Sequence, residues 1–216
     1  ADAGALTPLG VFNIVHANNV TTQAVNASTI LLGTGNGHAT FNGRLTATGG
    51  PDGIFLNARS LDILGGMTAT SAGIQINNID LLRIPATSTI SLAGPFTQGN
   101  GGPVQLGASI DTPARAVTFS GPVSLTSDVS VRGSSIAMSD PINSLGTPRS
   151  LTLASSGPIT TRSIGVSSPL ANLSILNAGA ATASLNGSIA ADGAIVIEPP
   201  LRLVTDTSIT GLGGIR

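Results

Sequence analysis

The sequence of 216 residues contains no cysteine, lysine, tryptophan or tyrosine, and its only aromatic residues are five phenylalanines. Charged residues make up 9% of the chain, against about 25% in ordinary globular domains. The absence of cysteine is compatible with either redox compartment. It also leaves the only two histidines, His16 and His38, without cysteine partners for a zinc site.

The formal net charge is only −1, with nine arginines balanced by ten acidic residues. A nucleic-acid-binding protein needs a basic patch, and a segment that binds anionic lipid needs a polybasic run, so neither partner is expected. The chain also has no apolar run near the roughly 18 residues that would predict a membrane-spanning helix. Insertion into a membrane is therefore not expected.

The chain is rich in the residues of turns, with 28 glycines and 13 prolines. Disorder is nevertheless a poor explanation, because 41% of the residues are hydrophobic and the mean hydropathy is +0.37. Disordered segments combine low hydrophobicity with high net charge. The sequence therefore predicts a folded chain with a thin core of aliphatic side chains.

Short alternating segments, in which two aliphatic residues flank a residue that is usually polar, recur along the whole chain. This alternation is typical of strands with one buried and one exposed face. Clusters of glycine, asparagine, aspartate and proline separate the segments and predict turns. The predicted strands are 12–14, 54–56, 74–76, 104–106, 117–119, 123–125, 129–131, 151–153, 173–175, 195–197 and 201–203.

Strands of three to five residues at this density suit a coiled sheet better than a sandwich, which needs longer strands and usually an aromatic core. We therefore predict an all-β fold, a single-stranded parallel β-helix (β-solenoid) covering residues 1–216. With about 20–25 residues per coil the chain would form roughly ten coils. At about 4.8 Å per coil the rod would be about 50 Å long.

A long internal repeat is also predicted. Residues 7–17 read TPLGVFNIVHA, and residues 168–178, which lie 161 positions further on, read SPLANLSILNA. Residues 53–55 match residues 214–216 in part at the same offset. Residues 1–55 are therefore expected to resemble residues 162–216.

Several segments resemble the degenerate repeats of filamentous-haemagglutinin-like exoproteins, which are very large bacterial proteins of the two-partner-secretion type. They are TTQAVNASTILLGTGNGHATFNGRLTATGG (21–50), VTFSGPVSLTSDVSV (117–131), GTPRSLTLASSGPITTRSIGVSSPLANLSIL (146–176) and TDTSITGLGGIR (205–216). The resemblance covers essentially the whole chain. It implies a right-handed parallel β-helix, secretion across the outer membrane, and an adhesive or structural fibre.

The chain departs from that family in one respect. The secretion domain of the family carries Asn-Pro-Asn-Leu and Asn-Pro-Asn-Gly motifs, and neither occurs here. The resemblance therefore implies a shaft segment at the cell surface or outside the cell, rather than the secretion-targeting head. Host or surface glycans are the partners of an alternative function, that of an adhesin stalk.

Polysaccharide cleavage on a β-helix would need facing carboxylates, or acidic residues that hold Ca²⁺ beside an arginine or lysine. The acidic residues are widely spaced along the sequence, and the one stacked pair that we considered is Asp62 and Asp80, about one coil apart. Exposed aspartates at strand ends are the simpler explanation. We therefore expect no enzymatic activity, no cofactor and no metal site.

Two glycine-rich segments are predicted to be turns. The segment GTGNG (33–37) lacks the lysine, the following helix and the βαβ context of a phosphate-binding loop, so we expect a corner of the solenoid. The segment GGPDG (49–53) combines a proline that fixes φ with glycines that supply positive φ. His16 is predicted to occupy a polar loop or surface site.

Threonine pairs suggest a second alternative function, an ice-binding face. The motifs Thr46-Ala47-Thr48, Thr68-Ala69-Thr70 and Thr87-Ser88-Thr89 recur about one coil apart, but the series stops there, at Ser109 and Ser127. Threonine also simply favours exposed strand positions.

The expected function is structural. A solenoid end exposes core and unpaired strand edges unless it is capped, and neither end of this sequence shows a cap. We therefore expect head-to-tail association with further copies or tandem repeats of the same chain, which generates open filaments. The residues expected to stack end to end are Phe12, Ile14, Ile209 and Ile215.

Overall fold

A computed structural model describes residues 2–4, 7–50, 53–179 and 181–216. Strands alternate with turns throughout this part of the chain, which contains no helix and hence none able to span a membrane. The strands are β1 (Leu9–Val15), β2 (Asn19–Thr22), β3 (Val25–Gly33), β4 (His38–Phe41), β5 (Leu45–Ala47), β6 (Ile54–Ala58), β7 (Ser60–Ile63), β8 (Met67–Ala69), β9 (Ile74–Asn78), β10 (Leu82–Ile84), β11 (Ile90–Leu92), β12 (Phe96–Gly99), β13 (Val104–Leu106), β14 (Ile110–Phe119), β15 (Val123–Leu125), β16 (Val129–Met138), β17 (Ile142–Ser144), β18 (Leu151–Ser155), β19 (Ile159–Thr161), β20 (Leu173–Asn177), β21 (Ala183–Leu185), β22 (Ile189–Ala191), β23 (Ile195–Ile197), β24 (Leu201–Leu203) and β25 (Ile209–Gly211).

The strands stack in three parallel ladders, which we call faces one, two and three. Face one contains β5, β8, β11, β18, β20 and β23, and face two contains β6, β9, β12, β19, β21 and β24. The long strands β1, β3, β14 and β16 run through the corner between these two faces. Face three contains β2, β4, β7, β10, β13, β15, β17, β22 and β25, with Ile164 bridging β17 to β22.

One inward-pointing row on face two gives the number of coils. Each member is the register partner of the next, so each belongs to a different coil. The row consists of Phe12, Ile30, Ile54, Ile74, Phe96, Val117, Ile136, Ile159, Ala183 and Leu201. The prediction of an all-β parallel β-solenoid of about ten turns is confirmed.

The core fills the inside of the coil because side chains alternate between the two faces of every strand. In β6, for example, Ile54, Leu56 and Ala58 are buried while Phe55 and Asn57 point outward. Three of the phenylalanines are fully buried, and the rings of Phe96 and Phe119 lie on neighbouring coils with centroids 5.2 Å apart. Every segment predicted to be a strand lies within an observed strand.

At the corners, neighbouring coils approach so closely that some positions accept only glycine. The segment 33–37 forms the predicted corner between β3 and β4, closed by a hydrogen bond from the Gly37 N–H to the Thr34 carbonyl. A Cβ on Gly37 would lie 1.5 Å from the Asn18 carbonyl oxygen, so only glycine fits. In the second predicted turn, Gly50 and Gly53 have φ of +73° and +60°, and Pro51 and Asp52 lie outside the described residues.

Polar side chains also connect coils. The Asp128 carboxylate accepts a hydrogen bond from the Ser150 N–H at 2.8 Å, one coil further on. The Asn172 side chain donates to Ser150 Oγ and accepts from the Ala194 N–H at 3.0 Å. These bonds form a ladder along the corner between faces three and one, and they need no net charge.

The corner between faces two and three holds a buried amide pair. The Gln98 Nε2 donates to Asn78 Oδ1 at 2.7 Å, and the Gln98 Oε1 accepts from the N–H groups of Ser120 and Gly121. Asn78 in turn donates to the carbonyls of Asp80 and Pro103. Both amides are fully buried, and together they join three successive coils.

The predicted long repeat remains a prediction about sequence, and the structure places the related residues on different faces. Phe12 lies on face two, whereas the related Leu173 lies on face one. Ile54 likewise lies on face two, whereas Ile215 bridges to Ile195 on face one. Related sequence here corresponds to the same inward position on neighbouring faces.

The buried amide pair predicts a large effect of removing Gln98. Gln98→Leu would leave the Gly121 N–H and the Asn78 oxygen buried without these partners, and should lower the free energy of unfolding by about 2–4 kcal/mol. Gln105→Leu is the matched control, because Gln105 points outward from β13 in the same coil, and it should change stability by under about 0.5 kcal/mol. Urea unfolding measures both, and equal losses would contradict the structural role of Gln98.

Candidate functional site

The residues predicted to stack end to end lie at the two ends of the solenoid. Phe12 and Ile14 are on β1 in the first coil, where they pair with Ile30 and Leu32 and pack half-buried against the core. Within the described part of the chain, β3 is the only strand that pairs with β1. One side of the β1 backbone therefore presents N–H and C=O groups that a further strand can pair with.

The last coil presents a similar edge. Ile209 lies on β25 and pairs with Ile189, whereas Ile215 bridges to Ile195 and is 53% exposed. The four predicted residues are thus divided among three faces, with Phe12 and Ile14 on face two. Face two ends instead with Leu201 and Leu203 of β24. The sequence identified that strand but gave no signal of which face it would occupy.

A polar cluster on the outside of face three brings together serine, histidine and aspartate. The Nδ1 of His38 lies 2.7 Å from Ser60 Oγ, and its Nε2 lies 3.0 Å from Thr40 Oγ1 and 3.4 Å from Asp62 Oδ2. The Arg83 guanidinium lies 3.5 Å from the other Asp62 oxygen. The residues meet because β4, β7 and β10 stack in register.

This cluster contains the residue types of a nucleophilic triad, so its surroundings decide what it can do. A serine nucleophile needs N–H groups aimed at the developing oxyanion. The N–H groups of His38 and Ser60 instead donate to the carbonyls of Asn18 and Gly37 in the inter-coil ladder. The arrangement links three successive coils through side-chain hydrogen bonds and the Asp62–Arg83 ion pair.

The acidic residues considered for polysaccharide cleavage have separate partners. Asp62 faces Arg83 across the ladder, whereas Asp80 forms a salt bridge with Arg59 at 2.5 Å. The hydrogen bond that Arg59 Nε donates to the Asp80 carboxylate raises the pKa of Arg59 above its usual value. The expectation that both aspartates end strands was wrong for Asp62, which lies inside β7.

The other predicted polar sites are simpler. His16 is exposed, with φ of +60°, in the turn after β1, as predicted. Among the described residues no group of three or more histidines and carboxylates could hold a metal ion. In the threonine series Thr46 and Thr68 are register partners, but Ser91 stands opposite Thr68 in the next coil and Thr87 and Thr89 precede β11.

A groove of about 530 Å³ lies along the corner between faces one and two. Its floor includes Leu31, Phe55, Gln75 and Thr97, which form one outward-pointing row across four successive coils. Small residues at the corners of two coils, among them Gly73, Gly94 and Pro95, leave the groove open. Arg115 lines its far end.

The far wall of the groove is a β-bulge. Residues 113–115 separate the paired residues Thr112 and Ala116 on β14, whereas Ser134 alone separates their partners on β16. Arg115 is one of the extra residues, and it lines the groove, since a bulge changes the direction in which side chains point. This groove was not predicted from the sequence, whose only signal for it was Phe55, a phenylalanine in the outward position between Ile54 and Leu56.

No family model matches the chain, and neither the curated proteins nor the solved structures contain a significant match to it. The geometry described above is therefore the basis for any functional assignment.

The Ser60–His38–Asp62 cluster leads to a prediction about reactivity. A fluorophosphonate probe, which labels activated serines, should leave Ser60 unmodified, because the nearby N–H groups are used in the ladder. Peptide mass spectrometry after incubation measures this, with a known serine hydrolase as the positive control. A Ser60 adduct that disappears in His38→Ala would contradict this prediction and indicate an active nucleophile.

Proposed function

We propose that this chain is a segment of the shaft of an extracellular bacterial fibre, in which each terminal coil is continued by another coil. The next coil comes either from the same polypeptide or from a second copy of the chain. The observation that carries the proposal is that the same three parallel ladders run from one end of the solenoid to the other. The first and last coils therefore both offer parallel strand edges on the same faces.

A stack that keeps the faces aligned defines which residues meet. On face two, Leu201 and Leu203 of one end would lie opposite Phe12 and Ile14 of the next, because these residues occupy the two ends of the same inward rows. On face three, Ile209 would lie opposite Val20. Apolar side chains then meet apolar side chains in both rows.

The chemistry of the surface supports the same role. The lateral ladders leave few unpaired backbone groups except at the two ends, so growth is directed along the axis. A chain with 9% charged residues and no lysine carries few of the charges that usually block edge-to-edge pairing. Identical coils stacked head to tail make an open filament rather than a closed ring.

The proposal includes a location outside a bacterial cell, which follows from the resemblance to filamentous-haemagglutinin-like exoproteins. Two observations support that resemblance: the segments that carry it form repeated short strands, and these strands stack into the parallel solenoid that it implies. The proposed role is non-catalytic and requires no cofactor. An adhesin stalk is the second candidate, and the groove beside Phe55 favours it. An ice-binding face is less well supported, because the threonine row formed by Thr46 and Thr68 spans only two coils.

Negative-stain electron microscopy of the purified 216-residue chain tests the assembly. Filaments whose width matches one solenoid are expected at neutral pH. Ile14→Asp should shorten or abolish them, because it places a charge among apolar side chains at the joint. Asn13→Asp is the matched control, because it adds the same charge on the same strand but pointing outward, and it should leave the filaments intact.

Two results would count against the proposal. One is a dispersed monomer of uniform size at all concentrations, measured by light scattering. The other is an equal effect of the Ile14 and Asn13 variants while both keep the circular dichroism spectrum of the parent chain, since that would place the contact elsewhere.

A further inference from the structure

The groove between faces one and two is unusual on the surface of this chain. Outward positions elsewhere on face two are mostly small or polar, such as Thr118, Thr160 and Ser184 in the same row. Leu31 and Phe55 instead place an aliphatic and an aromatic side chain outward, side by side on successive coils. Both side chains are half-buried, and apolar groups gathered in a concave site with a few polar groups are typical of ligand sites.

The groove is amphipathic along its length. Leu31 and Phe55 form the apolar end, Gln75 and Thr97 follow with an amide and a hydroxyl, and Arg115 stands at the far end. The row from Leu31 to Thr97 spans three coil spacings, or about 14 Å. A compact ligand would not reach from one end of this open groove to the other. An elongated ligand whose repeating units carry both apolar faces and polar edges would fit the whole length better than a purely apolar one.

The described residues that line the groove include one charged side chain, the Arg115 guanidinium. Arg115 has no salt-bridge partner within the described part of the chain, and the described residues that line the groove include no acid. Its planar guanidinium suits bidentate binding of a carboxylate. A single cation also suits a ligand with sparse negative charge rather than a dense polyanion, which would need several.

We propose that this groove binds a linear acidic oligosaccharide. Sugar rings have C–H faces that stack on the electron-rich face of an aromatic ring, here Phe55, and hydroxyl edges that hydrogen-bond to Gln75 and Thr97. A uronic carboxylate binds Arg115. This inference names the ligand class of the adhesin alternative and does not depend on end-to-end assembly, so either can fail without the other.

Isothermal titration calorimetry with a hyaluronan tetrasaccharide tests the proposal, because that probe carries a carboxylate on every second sugar. Uncharged chitotetraose and the peptide tetraglutamate are the reference probes. The hyaluronan tetrasaccharide should bind saturably, chitotetraose about tenfold more weakly for want of the charge-assisted bond, and tetraglutamate not at all. Binding of the charged probe should weaken as salt is added.

Two variants separate the contributions of Arg115 and Phe55 to oligosaccharide binding. Arg115→Gln should lower the affinity for the hyaluronan tetrasaccharide about tenfold, to that of chitotetraose. Phe55→Ser should weaken both tetrasaccharides. Arg132→Gln is the matched control, since Arg132 is an exposed arginine of β16 that lies outside the groove, and it should change neither affinity.

Three outcomes would overturn the proposal. They are no saturable binding of either tetrasaccharide, binding of tetraglutamate as tight as that of the hyaluronan tetrasaccharide, and equal weakening by the Arg115 and Arg132 variants. Filament formation by the Phe55 and Arg115 variants, followed by electron microscopy, shows separately whether the proposed shaft role is intact.

Discussion

The hydrogen-bond ladder between successive coils is the interaction on which the rest of this structure depends. Each coil has to place its strands opposite those of the coil before it, about 4.8 Å away, or the backbone groups inside the sheet lose their partners. This requirement explains why glycines such as Gly37 stand where coils approach closely, and why buried polar residues such as Gln98 bond to the next coil. Charge contributes little, because the ladder already fixes the register.

The ladder also determines how much could be predicted from the sequence. Alternation of apolar and polar residues identified the strands, such as Ile74–Asn78, because inward and outward positions alternate strictly along each strand. The assignment of strands to faces could not be predicted, because coil lengths vary. Ile30 pairs with Ile54, 24 residues further on, whereas Ala183 pairs with Leu201 after only 18. The residues predicted to stack therefore lie at the two ends of the solenoid but on three different faces.

The surface sites were harder to predict for a related reason. The cluster of His38, Ser60 and Asp62 forms because every second residue of neighbouring strands points to the same outward side. Which residues lie opposite one another depends on the number of residues in each corner, and the sequence does not reveal that number. The groove depends on the size of the side chains at the corners. Gly73 and Gly94 have no side chains to fill it, and the bulge that carries Arg115 lies beside them. A bulge is one or two extra residues in a strand, and the sequence contains no pattern that distinguishes it from an ordinary turn.

A solenoid separates its two kinds of surface. The ends carry the unsatisfied strand edges at which the proposed stacking would occur, whereas the sides have their backbone groups paired within the ladder. A lateral side chain can therefore change with little effect on the coil, provided that its neighbours keep their register. Phe55 and Arg115 illustrate this freedom: each points away from the core, and neither takes part in the inward rows that hold the coils together. A ligand site on the side and continuation at the ends can thus coexist in one chain, because they draw on different atoms of the same coils.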